Sequence, residues 1–93
     1  MTEKAGTDGI EATLKERSIQ HGPFDNHAHI ETRLRRILED EIQKSNMSQT
    51  QYIGLGMIMH KIARILNGGN QHSDTWHDIA GYAILVEKSI LDE

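Results

Sequence analysis

The chain has 93 residues, a net charge of −4, 37% apolar residues and no cysteine. This length supports one domain with a single core. The lack of cysteine excludes disulfides, thiolate metal sites and a cysteine nucleophile, and the acidic balance argues against general nucleic-acid binding, which needs a basic surface. No apolar run approaches the roughly 20 residues that span a bilayer, and the first nine residues lack the apolar core of an export signal. We therefore expect a cytoplasmic protein without a membrane partner.

Cap signals and apolar spacing predict four helices and no strands. The first helix is expected to begin after Asp8, where Glu11 completes a capping-box pattern. It should end before His21-Gly22-Pro23, because glycine and proline both stop a helix. Residues 1–7 are expected to be flexible, which leaves residues 8–93 as a single helical domain.

The second helix is predicted to start at Asp25 or Asn26 and to run to about Ser45. Apolar residues recur along it at intervals of three and four, which defines one buried face. These residues are Ile30, Leu34, Ile37, Leu38 and Ile42. The arginines between them, at positions 33, 35 and 36, are expected to point mostly outward.

The third helix is predicted to begin at Ser48, which forms a capping pattern with Gln51, and to run to Leu66. Asn67-Gly68-Gly69 closes it, since either glycine can adopt the left-handed conformation that ends a helix. The helix is apolar almost all round. It should therefore be buried on more than one side, in a central position or at a subunit interface.

The fourth helix is expected to start at Ser73, Asp74 or Thr75, all competent caps, and to run to about Leu91. Small residues at positions 80, 81 and 83 leave room for another helix to approach. Its main apolar stripe consists of Trp76, Ile79, Ala80, Ala83, Val86 and Ile90. The predicted fold is an all-α, small four-helix bundle, and the wide apolar surfaces of its third and fourth helices predict a homo-oligomer.

Two cations end the third helix and two carboxylates begin the fourth. Lys61 and Arg64 lie three residues apart and share a helix face, and the arginine fork matches a phosphate. Asp74 and Asp78, four residues apart, can accept hydrogen bonds from a ribose or a base, or bind magnesium. Two structural alternatives stay open: the charges complement the helix dipoles, or they form salt bridges with one another.

Aromatic and histidine side chains lie near this corner and in the loop that runs from Arg17 to Phe24. Trp76 and Phe24 can each stack a base or fill the core instead. The six histidines show no convincing metal-ligand spacing, so no metal is expected. The predicted ligand-binding residues are Lys61, Arg64, Asp74, Asp78, Trp76, His77, His60, Arg17, His21 and Phe24.

Three motifs carry a family resemblance. They are R-x3-HG-x-F from Arg17, HKIARILNG from His60 and D-x-WHDIAGYA-x-LV from Asp74. With them the chain, from Glu11 to Glu87, resembles a family of short, uncharacterised bacteriophage and prophage proteins. More distantly it is similar to nucleotide-modification-associated phage proteins and to MazG-like pyrophosphohydrolases. The resemblance implies a phage origin, a helical bundle in the host-cell cytoplasm and a nucleotide-like ligand.

The MazG-like enzymes hold magnesium with Glu-x-x-Glu on one helix and Glu-x-x-Asp on another. The second helix of this chain has no Glu-x-x-Glu, and Asp74 and Asp78 are four residues apart. Two of the four expected ligands therefore lack counterparts. This favours our first hypothesis, a phage accessory protein that sequesters a nucleotide-derived small molecule without turnover, with no catalytic residue and no cofactor.

Two other functions stay open. One is a magnesium-dependent nucleotide pyrophosphohydrolase or a nucleotide-modification helper, in which Asp78 would be essential. The other is an acidic inhibitor of a host defence complex, in which Glu39, Asp40, Glu41 and the acidic C-terminus would mimic nucleic acid. The enzyme hypothesis predicts turnover of a nucleoside triphosphate. The inhibitor hypothesis predicts a stoichiometric protein partner.

Overall fold

The computed structural model describes residues 9–16 and 22–92, and within these ranges the chain is all-α. Helix α1 covers residues 9–16, α2 is Phe24–Lys44, α3 is Gln49–Arg64 and α4 is Ser73–Leu91. The described ranges contain no strand, so the predicted small all-α bundle is confirmed. The flexible segment predicted for residues 1–7 lies outside the described residues.

Helix α3 occupies the centre, because it packs against both α2 and α4. The sequence left a central position or a subunit interface open for this helix, and within the chain it is central. Its buried residues include two glycines, which allow close contacts with both neighbours. They are Gly54, Gly56, Met59, Lys61 and Ala63.

The start of α3 follows the capping box that the sequence predicts. The Gln51 N–H donates to the Ser48 hydroxyl oxygen at 3.1 Å, and the Ser48 N–H donates to the Gln51 side-chain oxygen at 2.9 Å. At the other end α3 is followed by a turn over Ile65–Gly69, in which Ile65 keeps α-helical backbone angles and the chain leaves helical geometry at Asn67 and Gly68. Gly68 has φ +105°, so the predicted glycine closure is confirmed.

Helix α2 begins at Phe24, slightly earlier than predicted, because Pro23 takes the N-cap position with an extended backbone. Its inward face includes His27, and the predicted position of Ile37 on that face is wrong: Ile37 is 73% exposed. The expectation for Arg35 also needs correction, because this side chain turns inward and donates to the carbonyl oxygen of Gly56 at 3.0 Å. The polar contacts of α2 with α3 set its rotation, and Ile37 falls on the outer side.

Helix α4 begins at Ser73, but its N-cap is His72 and none of the three predicted caps holds that position. The predicted stripe is also partly wrong, since Trp76 is 53% exposed and positions 80 and 83 face outward. The close approach occurs at Gly54 of α3, where a Cβ atom would collide with Val86, whereas a Cβ on Gly81 would meet no atom within 4 Å. The contact with Gly54 turns α4 away from the predicted orientation.

Large apolar side chains remain exposed on this chain. Among the described residues, only Met59 and Ala63 are buried apolar residues. Exposed apolar side chains on α3, on the turn after it and on α4 include Ile53, Leu66, Ile84, Leu85 and Leu91.

None of the described helices is both long enough and apolar enough to span a bilayer.

Candidate functional site at the α2–α3 interface

Three side chains that can bind a proton or a metal ion meet between α2 and α3. His27 and Glu31 lie one turn apart on α2 and share a face, and His60 reaches them from α3. Glu31 Oε1 lies 2.9 Å from His27 Nε2 and 2.7 Å from His60 Nδ1. The two ring nitrogens are 3.3 Å apart. We refer to His27, Glu31 and His60 as the triad.

The triad is largely shielded from solvent. The side chains of His27, Glu31 and His60 are 7%, 17% and 30% exposed. Among the described residues, these form the one group of three side chains able to hold a metal ion together. The group contains a single carboxylate.

Arg35 orients the carboxylate of the triad. Its Nε donates to Glu31 Oε2 at 2.8 Å, while a terminal nitrogen donates to the Gly56 carbonyl oxygen at 3.0 Å. Gly56 leaves room for this approach, since a Cβ there would make a tight contact of 3.2 Å with a guanidinium nitrogen. Both oxygens of Glu31 therefore have partners, and the Oε1 atom is turned toward the two histidines.

The electrostatics of the triad favour an ionised Glu31 and a neutral His60. Burial raises the pKa of the Glu31 carboxyl, but hydrogen bonds from Arg35, His27 and His60 outweigh it and lower that pKa to about 2. Burial lowers the pKa of His60, the hydrogen bond and charge of Glu31 raise it, and electrostatic interactions with His27 and Arg64 lower it further. At neutral pH the triad thus contains an ionised carboxylate and a neutral His60 imidazole.

The turn after α3 and the start of α2 are joined beside the triad. The side-chain amide of Asn67, which is buried, donates to the Pro23 carbonyl oxygen at 2.8 Å and accepts a bond from the Asn26 amide. Gly22 packs on Asn67 with φ +77°, where a Cβ would collide with the Asn67 carbonyl oxygen. These contacts hold the first turn of α2 against α3.

Phe24 presents an open aromatic face next to the triad. Its ring lies parallel to the His27 ring, with centroids 6.0 Å apart and planes inclined by 6°. The residue is 77% exposed. Phe24 therefore does not fill the core, and one side of its ring is free to contact another aromatic group.

The predicted corner between α3 and α4 is closed by a salt bridge. Lys61 Nζ lies 3.0 Å from Asp78 Oδ2, and the lysine side chain is only 11% exposed. This is one of the structural alternatives that the sequence left open. Asp74 is exposed, and among the described residues it forms no ion pair.

The other predicted residues at this corner are scattered along α4. The indole N–H of Trp76 donates to the Asn70 carbonyl oxygen at 3.0 Å, which anchors the ring to the loop before α4. His77 is exposed and, with Asp78, borders a surface depression of about 430 Å³. The predicted ligand residues do not meet at one point on this side.

The structure thus divides the predicted residues into two groups. The α2–α3 side has His60, Arg64 and Phe24. Arg64 lies one turn after His60 on α3, and its charge lowers the pKa of His60. The α3–α4 side has Lys61, Asp74, Trp76, His77 and Asp78. Predicted residues Arg17 and His21 lie outside the described residues.

The sequence reasoning missed His27, Glu31 and Arg35. Their spacing of four along α2 was a usable signal, because it places all three on one face. Helical spacing could not predict the contribution of His60, because His60 lies on another helix, 29 residues from Glu31 in the chain. The spacing of His27 and His29 gave no metal motif, and His29 is indeed exposed, away from the triad.

Residues 8–90 match the family described as "Domain of unknown function (DUF6378)". The chain belongs to this family. The match takes in the triad and both sides of the predicted ligand corner, and it agrees with the expected membership of an uncharacterised family. Comparison of the DUF6378 chain with curated proteins gave no match, and comparison with solved structures gave none either.

Proposed function

We propose that this DUF6378 protein is a phage accessory protein that binds a nucleotide-derived small molecule without turning it over. The bound molecule would be a host immune signal, such as a cyclic nucleotide or an ADP-ribose derivative, captured in the host-cell cytoplasm. The phage origin rests on the three sequence motifs that begin at Arg17, His60 and Asp74. The ligand class rests on the chemistry of the α2–α3 side.

The observation that carries the proposal is that, in the described part of the chain, the α2–α3 side has both an arginine without a carboxylate partner and an exposed aromatic ring. Among the described residues Arg64 forms no ion pair, and its charge lowers the pKa of His60. Phe24, whose ring lies parallel to that of His27 in the triad, is 77% exposed. A guanidinium can bind a phosphate through two hydrogen bonds, and an aromatic ring can stack on a base.

The carboxylates near this site support binding over hydrolysis. Magnesium-dependent cleavage of a triphosphate needs several carboxylates that converge on the metal ion. In the described part of the chain, Glu31 is held by Arg35 and two histidines, and Asp78 is held by Lys61. No described group of three metal-ligating side chains contains more than one carboxylate.

Isothermal titration with ATP, ADP, a cyclic dinucleotide and ADP-ribose tests this function. We expect at least one of them to bind more tightly than about 1 mM, and Arg64→Ala to weaken that binding by about tenfold or more, which corresponds to about 1.4 kcal/mol. Arg36→Ala is the matched control, because Arg36 is an exposed arginine on α2. Absence of binding across the panel, or an equal effect of both variants, would contradict the proposal.

A second set of variants locates the ligand. Phe24→Ala should weaken binding, whereas Asp74→Asn and Trp76→Ala should leave it unchanged if the ligand lies on the α2–α3 side. The reverse result would place the ligand at the originally predicted corner between α3 and α4. Each variant changes an exposed side chain, so its fold can be checked by helical circular dichroism before titration.

We further propose that the protein forms a homo-oligomer through α3 and α4. The support is a groove of about 390 Å³ between these helices, whose apolar lining includes Ile53 and Leu85, both more than half exposed. A second copy would cover this surface and enlarge a core that is small in one chain. Light scattering should give a dimer or larger assembly that Leu85→Glu dissociates and Ile37→Glu does not, and a wild-type monomer at all concentrations would refute it.

A further inference from the structure

We propose that His27, Glu31 and His60 bind a divalent transition-metal ion, with Zn²⁺ as the preferred occupant. This site goes beyond the proposed nucleotide binding, which does not require a metal ion. It also differs from the magnesium site considered from the sequence, which would have used Asp74 and Asp78. The site is supported by the donor types, their spacing, the close contact between the two ring nitrogens and the residues that orient the donors.

The donor atoms are the types that zinc prefers. The triad offers two imidazole nitrogens and one carboxylate oxygen, and a zinc ion with three such protein ligands keeps a fourth position for water or a bound molecule. Magnesium and calcium prefer sites made of oxygen atoms alone. The triad therefore selects a borderline transition metal over the hard alkaline-earth ions.

The spacing of the donors is close to that of a coordination shell. In a tetrahedral zinc site with bonds of about 2.0–2.1 Å, neighbouring ligand atoms lie about 3.3 Å apart. The three donor pairs of the triad are separated by 2.7, 2.9 and 3.3 Å. The ion needs only a small outward movement of Glu31 relative to the two rings, with no rearrangement of the helices.

The protons of the metal-free triad are poorly arranged. For both rings to donate to Glu31 Oε1, His27 Nε2 and His60 Nδ1 must each carry a proton. These two nitrogens would then be donors that face each other at 3.3 Å, an unfavourable contact. If one metal ion replaces the two protons, all three donor atoms of the triad bind the same positive centre.

Neighbouring side chains prepare the donors for the ion. Arg35 holds the second oxygen of Glu31 and thereby directs Oε1 toward the histidines, a role that second-layer hydrogen bonds play in metal sites. The ring of Phe24 lies parallel to the His27 ring.

The positive charges of Arg35 and Arg64 repel the metal ion. The open coordination position of the ion is therefore expected to favour an anion such as a phosphate oxygen over a neutral ligand.

Direct titration of the full chain with Zn²⁺ tests the site. After removal of metal with a chelator and in the absence of nucleotide, we expect one equivalent of Zn²⁺ to bind and to raise the melting temperature. His27→Ala and His60→Ala should each weaken binding at least tenfold. His29→Ala and His77→Ala are matched controls that should bind as the wild type does, because both histidines are exposed.

A spectroscopic measurement on the wild type keeps the test independent of variant folding. Co²⁺ should give visible absorption bands of a low-symmetry four-coordinate site, and one equivalent of Zn²⁺ should remove them, whereas excess Mg²⁺ should not. Absence of saturable binding, or equal losses in the triad variants and the controls, would overturn the proposal. Arg64→Ala separates the two functions, since it should weaken nucleotide binding by about tenfold or more while Zn²⁺ still binds.

Discussion

Glu31 Oε1 of α2 lies 2.7 Å from His60 Nδ1 of α3, although the two residues are 29 positions apart in the chain. The same oxygen lies 2.9 Å from His27 Nε2. One oxygen of this carboxylate therefore contacts an imidazole of its own helix and an imidazole of α3, and its other oxygen binds Arg35. Such a concentration of polar contacts makes Glu31 important for stability and for the proposed metal site.

Replacing Glu31 with alanine should destabilise the fold. The change leaves Arg35 without its carboxylate and removes the partner of both histidines, so we expect the free energy of unfolding in urea to fall by about 1–3 kcal/mol. Glu39→Ala is the control, because Glu39 is exposed on the same helix and should shift stability by less than about 0.5 kcal/mol. Equal effects of the two substitutions would show that the triad contributes nothing to stability.

The depressed pKa of Glu31 predicts a specific loss of stability in acid. Its pKa falls from 4.5 to about 2, so the folded state binds this proton less readily than the unfolded state does. The resulting stabilisation is fully present above about pH 4.5 and is lost as pH falls toward 2. Urea denaturation of metal-free protein between pH 6 and pH 3 should show a steeper decline for the wild type than for Glu31→Gln. Parallel curves would contradict this assignment.

Two glycines of the packed helices should respond in opposite directions to alanine. Gly54→Ala introduces a Cβ that collides with Val86, and the separation of α3 and α4 that it forces should cost about 1–3 kcal/mol. Gly81→Ala places a Cβ in open space and should stabilise α4 by about 0.5–1 kcal/mol through its higher helix propensity. Thermal unfolding at several protein concentrations measures both effects. Destabilisation by Gly81→Ala that appears only in an oligomer would instead show another helix packed there.

The two partners of the Lys61–Asp78 salt bridge should differ in their sensitivity to mutation. Asp78→Ala leaves a buried ammonium group without its carboxylate and should cost about 1–3 kcal/mol. Lys61→Met keeps the apolar stem that fills this position and leaves a carboxylate that is 46% exposed, so its cost should be smaller. Chemical denaturation of both single variants measures the difference. Equal costs would indicate that the ammonium group is hydrated in the folded protein.

The sequence predicted well those features that depend on neighbouring residues. The Ser48–Gln51 capping box is present, and Gly68 adopts the left-handed conformation that ends the third helix. Both depend on hydrogen bonds and backbone conformations within a few residues. Helix number, all-α class and the central position of α3 followed from the same local signals together with apolar spacing.

The helix faces were predicted less accurately because broad apolar surfaces permit several rotations. Ile37 and Trp76 both fit an apolar stripe, yet both are more than half exposed. The rotation of α4 is decided by the fit of Val86 against Gly54 and by the Lys61–Asp78 pair. These contacts join separate helices, and periodicity within one helix cannot identify them.

The candidate site shows the same division between local and tertiary information. The sequence by itself determined that cations, carboxylates, histidines and aromatic residues cluster at the helix ends, and that α2 carries His27 and Glu31 one turn apart. Only the tertiary structure decided that Lys61 is neutralised by Asp78 and that His60 joins the α2 pair. The physical reason is that a side-chain contact depends on how two helices are rotated and spaced, which the packing of the whole bundle sets.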